Sequence, residues 1–306
     1  MKNNIMYYYN LIIDTLYQNN DYYYFYQDNE RYELVIYERN IKEQQAIYEL
    51  NKKMILSNTM VHEIILNKDN YVITFINNIP YILYKVYINK EKELTLQELT
   101  YLSNFNFEHD SILNRNNWDI LWSTKIDYLE YQINQIGLKY PILVDSFSYF
   151  IGLAENAISY AKNTELEVKK EIIDKEVISH RKIRLTDTVN TIYNPINIII
   201  DHKARDLGEY IKLSFFKNNN NIFNELNQYF SINHYSIYGI RLLFARILYP
   251  SFYFDMYEEI IKEKTKESDI LNITSRIDEY EEYLRNVIFY FKKLYNIPQV
   301  EWLTRK

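Results

Sequence analysis

The chain has 306 residues, of which 47% are hydrophobic and 25% charged, with a formal net charge of −6. That length holds one large domain or two lobes, and that apolar content sustains a core, which excludes wholesale disorder. The acidic balance argues against general nucleic-acid binding, and the absence of cysteine excludes disulfides, thiolate nucleophiles and cysteine-based zinc sites. Residues 1–20 lack the apolar stretch and small-residue cleavage site of a signal peptide, and no apolar run approaches the ~20 residues of a membrane span. The expectation is a protein made, and kept, inside a cell. Tyrosine occurs 33 times and glycine 4 times. Codon bias accounts for a chain rich in Ile, Asn, Lys and Tyr. A large number of exposed tyrosines would instead point to aromatic contacts or oxidative cross-linking.

A short helix is predicted over residues 4–17. Segments 21–27, 31–38, 60–67, 71–78 and 80–88 are dense in β-branched and aromatic residues and read as strands. Turns fall at 67–70, which reads Asn-Lys-Asp-Asn, and at 77–80, which reads Asn-Asn-Ile-Pro. Between the second and third strands, Ile41, Ala46, Ile47, Leu50 and Met54 follow helical spacing, so a helix is predicted over 41–55. The order is β-β-α-β-β-β.

Beyond residue 90 the pattern becomes helical. Thr95 and Glu98 form the signature of a capping box opening a helix over 95–106. Long amphipathic helices follow over 118–137 and 145–163, the latter carrying a stripe from Phe147 to Ala161. Two more helices are expected between 221 and 250, then others over 254–265 and 269–297. The fold class is therefore α+β. Residues 1–90 make a small lobe of sheet plus one helix, residues 91–306 make a larger helical lobe, and 90–94 is the hinge.

This layout is that of kinase-like phosphotransferases, and particular stretches sharpen the comparison. Residues WDILWSTKIDYLE (118–130), SYFIGLAENAISY (148–160), ISHRKI (178–183), NPINIIIDHKARDLGEYIK (194–212) and YNIPQVEWL (295–303) resemble the YutH-type spore coat proteins. These are kinase-like members of the CotS group, related to aminoglycoside phosphotransferases. The resemblance implies a bilobal protein-kinase-like fold and cytoplasmic synthesis followed by a place in the spore coat of a spore-forming bacterium. It also implies other spore coat proteins as partners, while the charge and hydropathy above already argue for no nucleic acid and no membrane span. It does not by itself establish catalysis.

An active phosphotransferase of this kind needs a glycine-rich turn on the phosphates and a lysine on the third strand. It also needs a catalytic aspartate followed by an asparagine five residues later, and a second aspartate on magnesium. Here the turn between the first two predicted strands is 28–30, with two acids and no glycine. Residues 31–38 contain no lysine: Val35 is among them, and the nearest lysine is Lys42. Glu43 and Glu49 on the following helix then read as solvated acids. In the catalytic loop His180 and Arg181 are followed by Lys182 where the base belongs, and Asp187 stands in place of the asparagine. A shifted register would make Asp187 the base.

Asp201 occupies the second metal position and has two readings: a magnesium ligand if the protein is active, or an N-terminal cap for the next helix. The cap needs only the carboxylate and the following amides. Asp206 matches the acid that opens that helix, with only four residues between the two, so the activation segment looks cut away. Arg205 and Glu209 lie four apart and are placed to pair on one helix face. The resulting expectation is a catalytically degenerate protein, a pseudokinase that acts in coat assembly by protein binding and uses no cofactor. The alternative is an active phosphotransferase using ATP and magnesium.

The remaining signals are weaker. His62 with His109 and Asp110 superficially resembles a metal-dependent phosphohydrolase, but His62 lies in a strand pattern. His180 reads as a core histidine satisfied by backbone. Glu155 and Asn156 are candidates to support the loop around it.

Overall fold

The computed structural model describes residues 1–19, 22–87, 92–107 and 112–304. His109, Asp110 and the first two residues of the expected hinge lie outside them. The chain divides into two compact units, residues 1–114 with 177–201 and residues 115–176 with 202–306.

The first unit opens with helix α1 (Lys2–Tyr9), shorter than the predicted 4–17 because Asn10 turns left-handed at φ 53°. The freed chain forms β1 (Leu16–Gln18), a strand too short to register as a pattern. Strands β2 (Tyr22–Gln27) and β3 (Glu30–Ile36) follow. A 3₁₀ turn over Ile41–Glu43 then leads into helix α2 (Gln44–Leu56). Strands β4 (Glu63–Ile65), β5 (Thr74–Ile76) and β6 (Ile79–Val86) complete an antiparallel sheet ordered β1-β2-β3-β6-β4, with β5 paired to β6.

Two hairpins close through two-residue turns, Asp28–Asn29 (φ 52° and 64°) and Asn77–Asn78 (φ 51° and 64°). Positive φ at both central residues gives the turn whose twist matches the strands. Of the nine non-glycine residues with positive φ among those described, seven are asparagine, and no described glycine has positive φ. Asparagine tolerates this region better than other side chains, so it does the work usually left to glycine.

Strand alternation sorts the sheet faces. Phe25, Leu34, Tyr81 and Leu83 pack with Ile5, Tyr9, Ile13 and Ile76 into one apolar cluster. The opposite face carries Tyr24, Arg31, Glu33 and Tyr84. After β6 comes the short helix α3 (Leu96–Leu99), whose Thr95–Glu98 capping box forms as predicted.

The second unit contributes α4 (Trp118–Ile136) and α5 (Pro141–Glu167). The chain then makes β7 (Glu176–His180), the one-turn α6 (Val189–Ile192), a 3₁₀ turn over Pro195–Asn197 and β8 (Ile198–His202), with β7 and β8 paired. Helices α7 (Ala204–Phe216), α8 (Ile222–Ile232), α9 (Ile237–Leu248), α10 (Ser251–Ile261), α11 (Leu271–Thr274), α12 (Ile277–Leu294) and α13 (Glu301–Thr304) finish the chain. Helix α9 is buried from Tyr238 to Leu248, while α12 buries a single stripe, Tyr280, Leu284, Val287, Ile288 and Phe291. Among the described residues no helix is long and apolar enough to cross a membrane.

Gly208 and Gly239 are retained for close approach rather than for φ. A Cβ on Gly208 would sit 2.7 Å from Arg246 Cγ, and one on Gly239 would sit 2.9 Å from Asp174 Oδ1.

Candidate kinase-like site

The third strand of the sheet is β3, and it holds no lysine. Its buried charged residue is Glu33, which pairs with Arg31 Nη2 at 2.6 Å and accepts a hydrogen bond from Tyr84 at 2.9 Å. Tyr84 in turn accepts from Asn194 Nδ2 at 2.9 Å. Burial raises the Tyr84 hydroxyl well above its usual range, reinforced by the Glu33 charge, so it stays a proton donor.

The first two strands are β1 and β2, so the connection between them runs over residues 19–21, two of which lie outside the described residues. The acidic turn at Asp28–Asn29 joins the second strand to the third instead. This corrects the turn assignment, and the cause is the three-residue length of β1. No glycine occurs at 19–21 either.

Glu43 is not a solvated acid. It is buried and bound by Arg39, Nε to Oε2 at 2.8 Å. Arg39 Nη1 also donates to the carbonyls of Ile196 at 3.0 Å and Ile198 at 2.6 Å. One guanidinium thus ties the start of α2 to the strand that carries Asp201. Glu49 is exposed and accepts from Gln45.

His180 ends β7 and is fully buried. Its Nε2 lies 3.0 Å from the Ile192 carbonyl, which fixes the proton on that nitrogen. Arg181 donates its backbone N–H to the Asn197 carbonyl at 2.7 Å. The Lys182 backbone is clamped by the Asn197 side chain, accepting at 3.0 Å and donating at 2.9 Å. Asp187 Oδ2 accepts the Arg184 backbone N–H at 2.8 Å, and burial pushes its carboxyl above the usual range against that bond.

Asp201 is fully buried on β8. It does not stand at the N-cap position of α7, which falls to Lys203, and Lys203 makes no side-chain cap. The first helical N–H, that of Ala204, is instead taken by His202 Nδ1 at 3.1 Å. The strand runs one residue past Asp201 and leaves the capping geometry to its neighbours.

In the second unit, His202 Nε2 faces Asp174 Oδ1 at 3.5 Å. Asp174 also accepts from Ser236 Oγ at 2.7 Å and from the Glu171 N–H at 2.8 Å. Burial alone would raise this carboxyl, but these donors hold it below its usual range. Arg205 and Asp206 are buried on α7.

Glu209 does not form an exposed surface pair. It accepts from Lys212 Nζ at 2.9 Å, Arg246 Nε at 2.6 Å and Ser251 Oγ at 2.9 Å, deep in the helical core. Burial opposes its charge, yet Lys212 and Arg246, with a smaller contribution from Arg205, bring its pKa down to about 2. Asn156 bonds the Gly152 carbonyl of its own helix, and Glu155 is exposed.

Sequence reasoning missed Arg39, Asn197 and the Glu33–Tyr84–Asn194 chain. Only Arg39 left a readable trace, an arginine four residues before a glutamate at the start of a predicted helix.

The sheet-rich unit and the helical unit define a bilobal protein-kinase-like fold. Its similarity extends to an aminoglycoside phosphotransferase from Alicyclobacillus acidocaldarius (TM-score 0.55, 9% identity, 93% of this chain and 94% of that one). An AMP-bound spectinomycin phosphotransferase gives a TM-score of 0.53 at 11% identity, over 100% of this chain and 98% of that one. An amicoumacin kinase in complex with AMP-PNP gives 0.52 at 10%, over 93% and 92%. At these identities the likeness is one of fold.

The family is sharper. The family described as "Spore coat putative kinase YutH" matches residues 2–287, and the chain belongs to it. The chain is 31% identical over 180 residues to the endospore coat-associated protein YutH of Bacillus subtilis (strain 168), covering 53% of this chain. That match spans about half the length of the relative, 52%.

Proposed function

We propose that this chain is a catalytically degenerate kinase-like protein, made in the cytoplasm and placed in the spore coat. There it would act in coat assembly by binding other coat proteins, with residues 1–90 and 91–306 as its two lobes. The observation that carries the reading is the state of the acids. Glu33 on β3 and Glu43 at the start of α2 are both paired with arginines, Arg31 and Arg39. Arg31 lies on β3 four residues before Val35, and Arg39 lies beyond the end of that strand.

The residues do not fit a magnesium nucleotide. Asp201 supplies one carboxylate, Lys182 stands where a proton acceptor is required, and Asp187 is engaged by the Arg184 amide. A lysine accepts a proton only if its pKa falls far below the ordinary ~10.4. Magnesium is usually held by one or two carboxylates together with phosphate oxygens, so a single aspartate is a weak anchor.

One observation favours the alternative of an active phosphotransferase: Asp201 is a fully buried carboxylate at a strand end. Thermal unfolding with and without saturating magnesium-ATP tests both. A ligand at a hundred times its Kd stabilises by about 2.7 kcal/mol, which a melting curve resolves. No shift is expected. A rise in Tm that disappears in Asp201→Ala, together with transfer of radiolabelled phosphate, would establish the active enzyme.

A further inference from the structure

On the sheet face opposite the apolar cluster, tyrosines gather at the β1–β2 edge. Tyr17 and Tyr24 are direct cross-strand partners. Their rings stack with centroids 5.0 Å apart and planes at 16°. Tyr26 meets Tyr17 edge-on at 6.4 Å and Tyr24 at 6.2 Å. Tyr17 is 43% exposed and Tyr26 47%, whereas Phe25 between them is fully buried on the other face. The Arg31 guanidinium lies 4.7 Å from the Tyr24 ring centre and holds that ring in place.

Stacked cross-strand aromatic pairs stabilise a hairpin, and phenylalanine would serve as well. The phenol adds a chemistry that phenylalanine lacks. One-electron oxidation yields a phenoxyl radical with spin at the ring carbons ortho to oxygen. A second phenol already in contact makes coupling effectively unimolecular.

We propose that Tyr17 and Tyr24 form an oxidative modification site, joined as dityrosine by a one-electron oxidant of the peroxidase class using hydrogen peroxide. Each phenol loses one electron and one proton. The two ortho carbons form a C–C bond, and the ortho hydrogens shift to oxygen to restore both phenols. The peroxide takes up two electrons and two protons and leaves as two waters. Because β1 is a three-residue edge strand, its exposed ring is free to tilt into the biaryl geometry. The inference does not depend on whether the chain binds nucleotide.

The test oxidises the purified full chain with a peroxidase and hydrogen peroxide. Proteolysis before aspartate then separates residues 14–20, whose single tyrosine is Tyr17, from residues 21–27. The expected result is a cross-linked pair of these peptides in the monomer, with fragment ions placing the bond on Tyr24 and a yield independent of protein concentration. Tyr17→Phe and Tyr24→Phe, with circular dichroism matching wild type, should each abolish that pair. Dityrosine that forms only between molecules, or only at other tyrosines, overturns the proposal. So does a monomeric dityrosine signal unchanged in Tyr17→Phe.

Discussion

Arg39 and Glu43 form a buried ion pair at the point where helix α2 begins, and the same guanidinium spans the carbonyls of Ile196 and Ile198. Its planar fork satisfies a carboxylate and two carbonyls at once, which a lysine cannot do. Residues some 157 positions apart in sequence are thereby joined within one unit.

Arg39→Ala removes the cation and leaves Glu43 buried with two orphaned carbonyls. Breaking one side of a buried pair costs about 3–5 kcal/mol, whereas replacing both partners by apolar residues is far milder. Urea unfolding should therefore show a large loss for Arg39→Ala and a much smaller one for Arg39→Met combined with Glu43→Leu. Equal losses would mean that the carbonyl bonds, not the ion pair, carry the stability.

Two buried groups give separable acid limbs. Burial brings His62 down from an ordinary 6.5 to about 4, despite its bonds to Asn190. Between those values the unfolded chain binds a proton that the folded chain refuses, so stability falls as pH drops from 6.5 towards 4. Glu209 differs: its folded pKa of about 2 lies below an ordinary 4.5, so its contribution is present above 4.5 and is lost as pH falls towards 2. Each shift corresponds to about 3 kcal/mol, at about 1.4 kcal/mol per pKa unit. A stability profile against pH should lose the upper limb in His62→Gln and the lower limb in Glu209→Gln. A His62→Gln profile that keeps its slope between 6.5 and 4 would assign that limb to other groups.

Gly152 and Gly208 both lie inside helices, yet alanine should act on them in opposite directions. A Cβ at Gly152 meets nothing within 4 Å, so Gly152→Ala gains the helix propensity of alanine, about 1 kcal/mol. At Gly208 the Cβ meets Arg246 Cγ at 2.7 Å and Cβ at 3.0 Å, beside the arginine that neutralises Glu209. Overpacking there should cost roughly 1–3 kcal/mol. Melting temperatures of the two variants check the sign; a stabilised Gly208→Ala would show that Arg246 gives way freely.

Local patterns were legible in the sequence. Periodicity located α2 and the long helices, and Asn-rich punctuation located the Asn77–Asn78 hairpin. Thr95 and Glu98 announced their capping box. The losses share a physical cause. Three residues, Leu16–Gln18, are too few to show alternation, so the first strand was invisible and the acidic turn was assigned one hairpin early. Arg205, four residues away, does act on Glu209, but Arg246 lies 37 residues off and is brought in only by packing of α9 against α7. Burial decided the rest: nothing in the spacing around Glu43 or Asp201 distinguishes a solvated or capping acid from a desolvated one.

The asparagine turns have a chemical corollary. An asparagine side chain ages when the next backbone nitrogen attacks it to form a succinimide, a ring closure most facile when that next residue is glycine. The residues before the four glycines are Ile136, Ile151, Leu207 and Tyr238, so the sequence contains no asparagine–glycine step. By building seven of its nine described left-handed corners from asparagine and none from glycine, the chain keeps its tightest bends away from the dipeptide most prone to spontaneous deamidation.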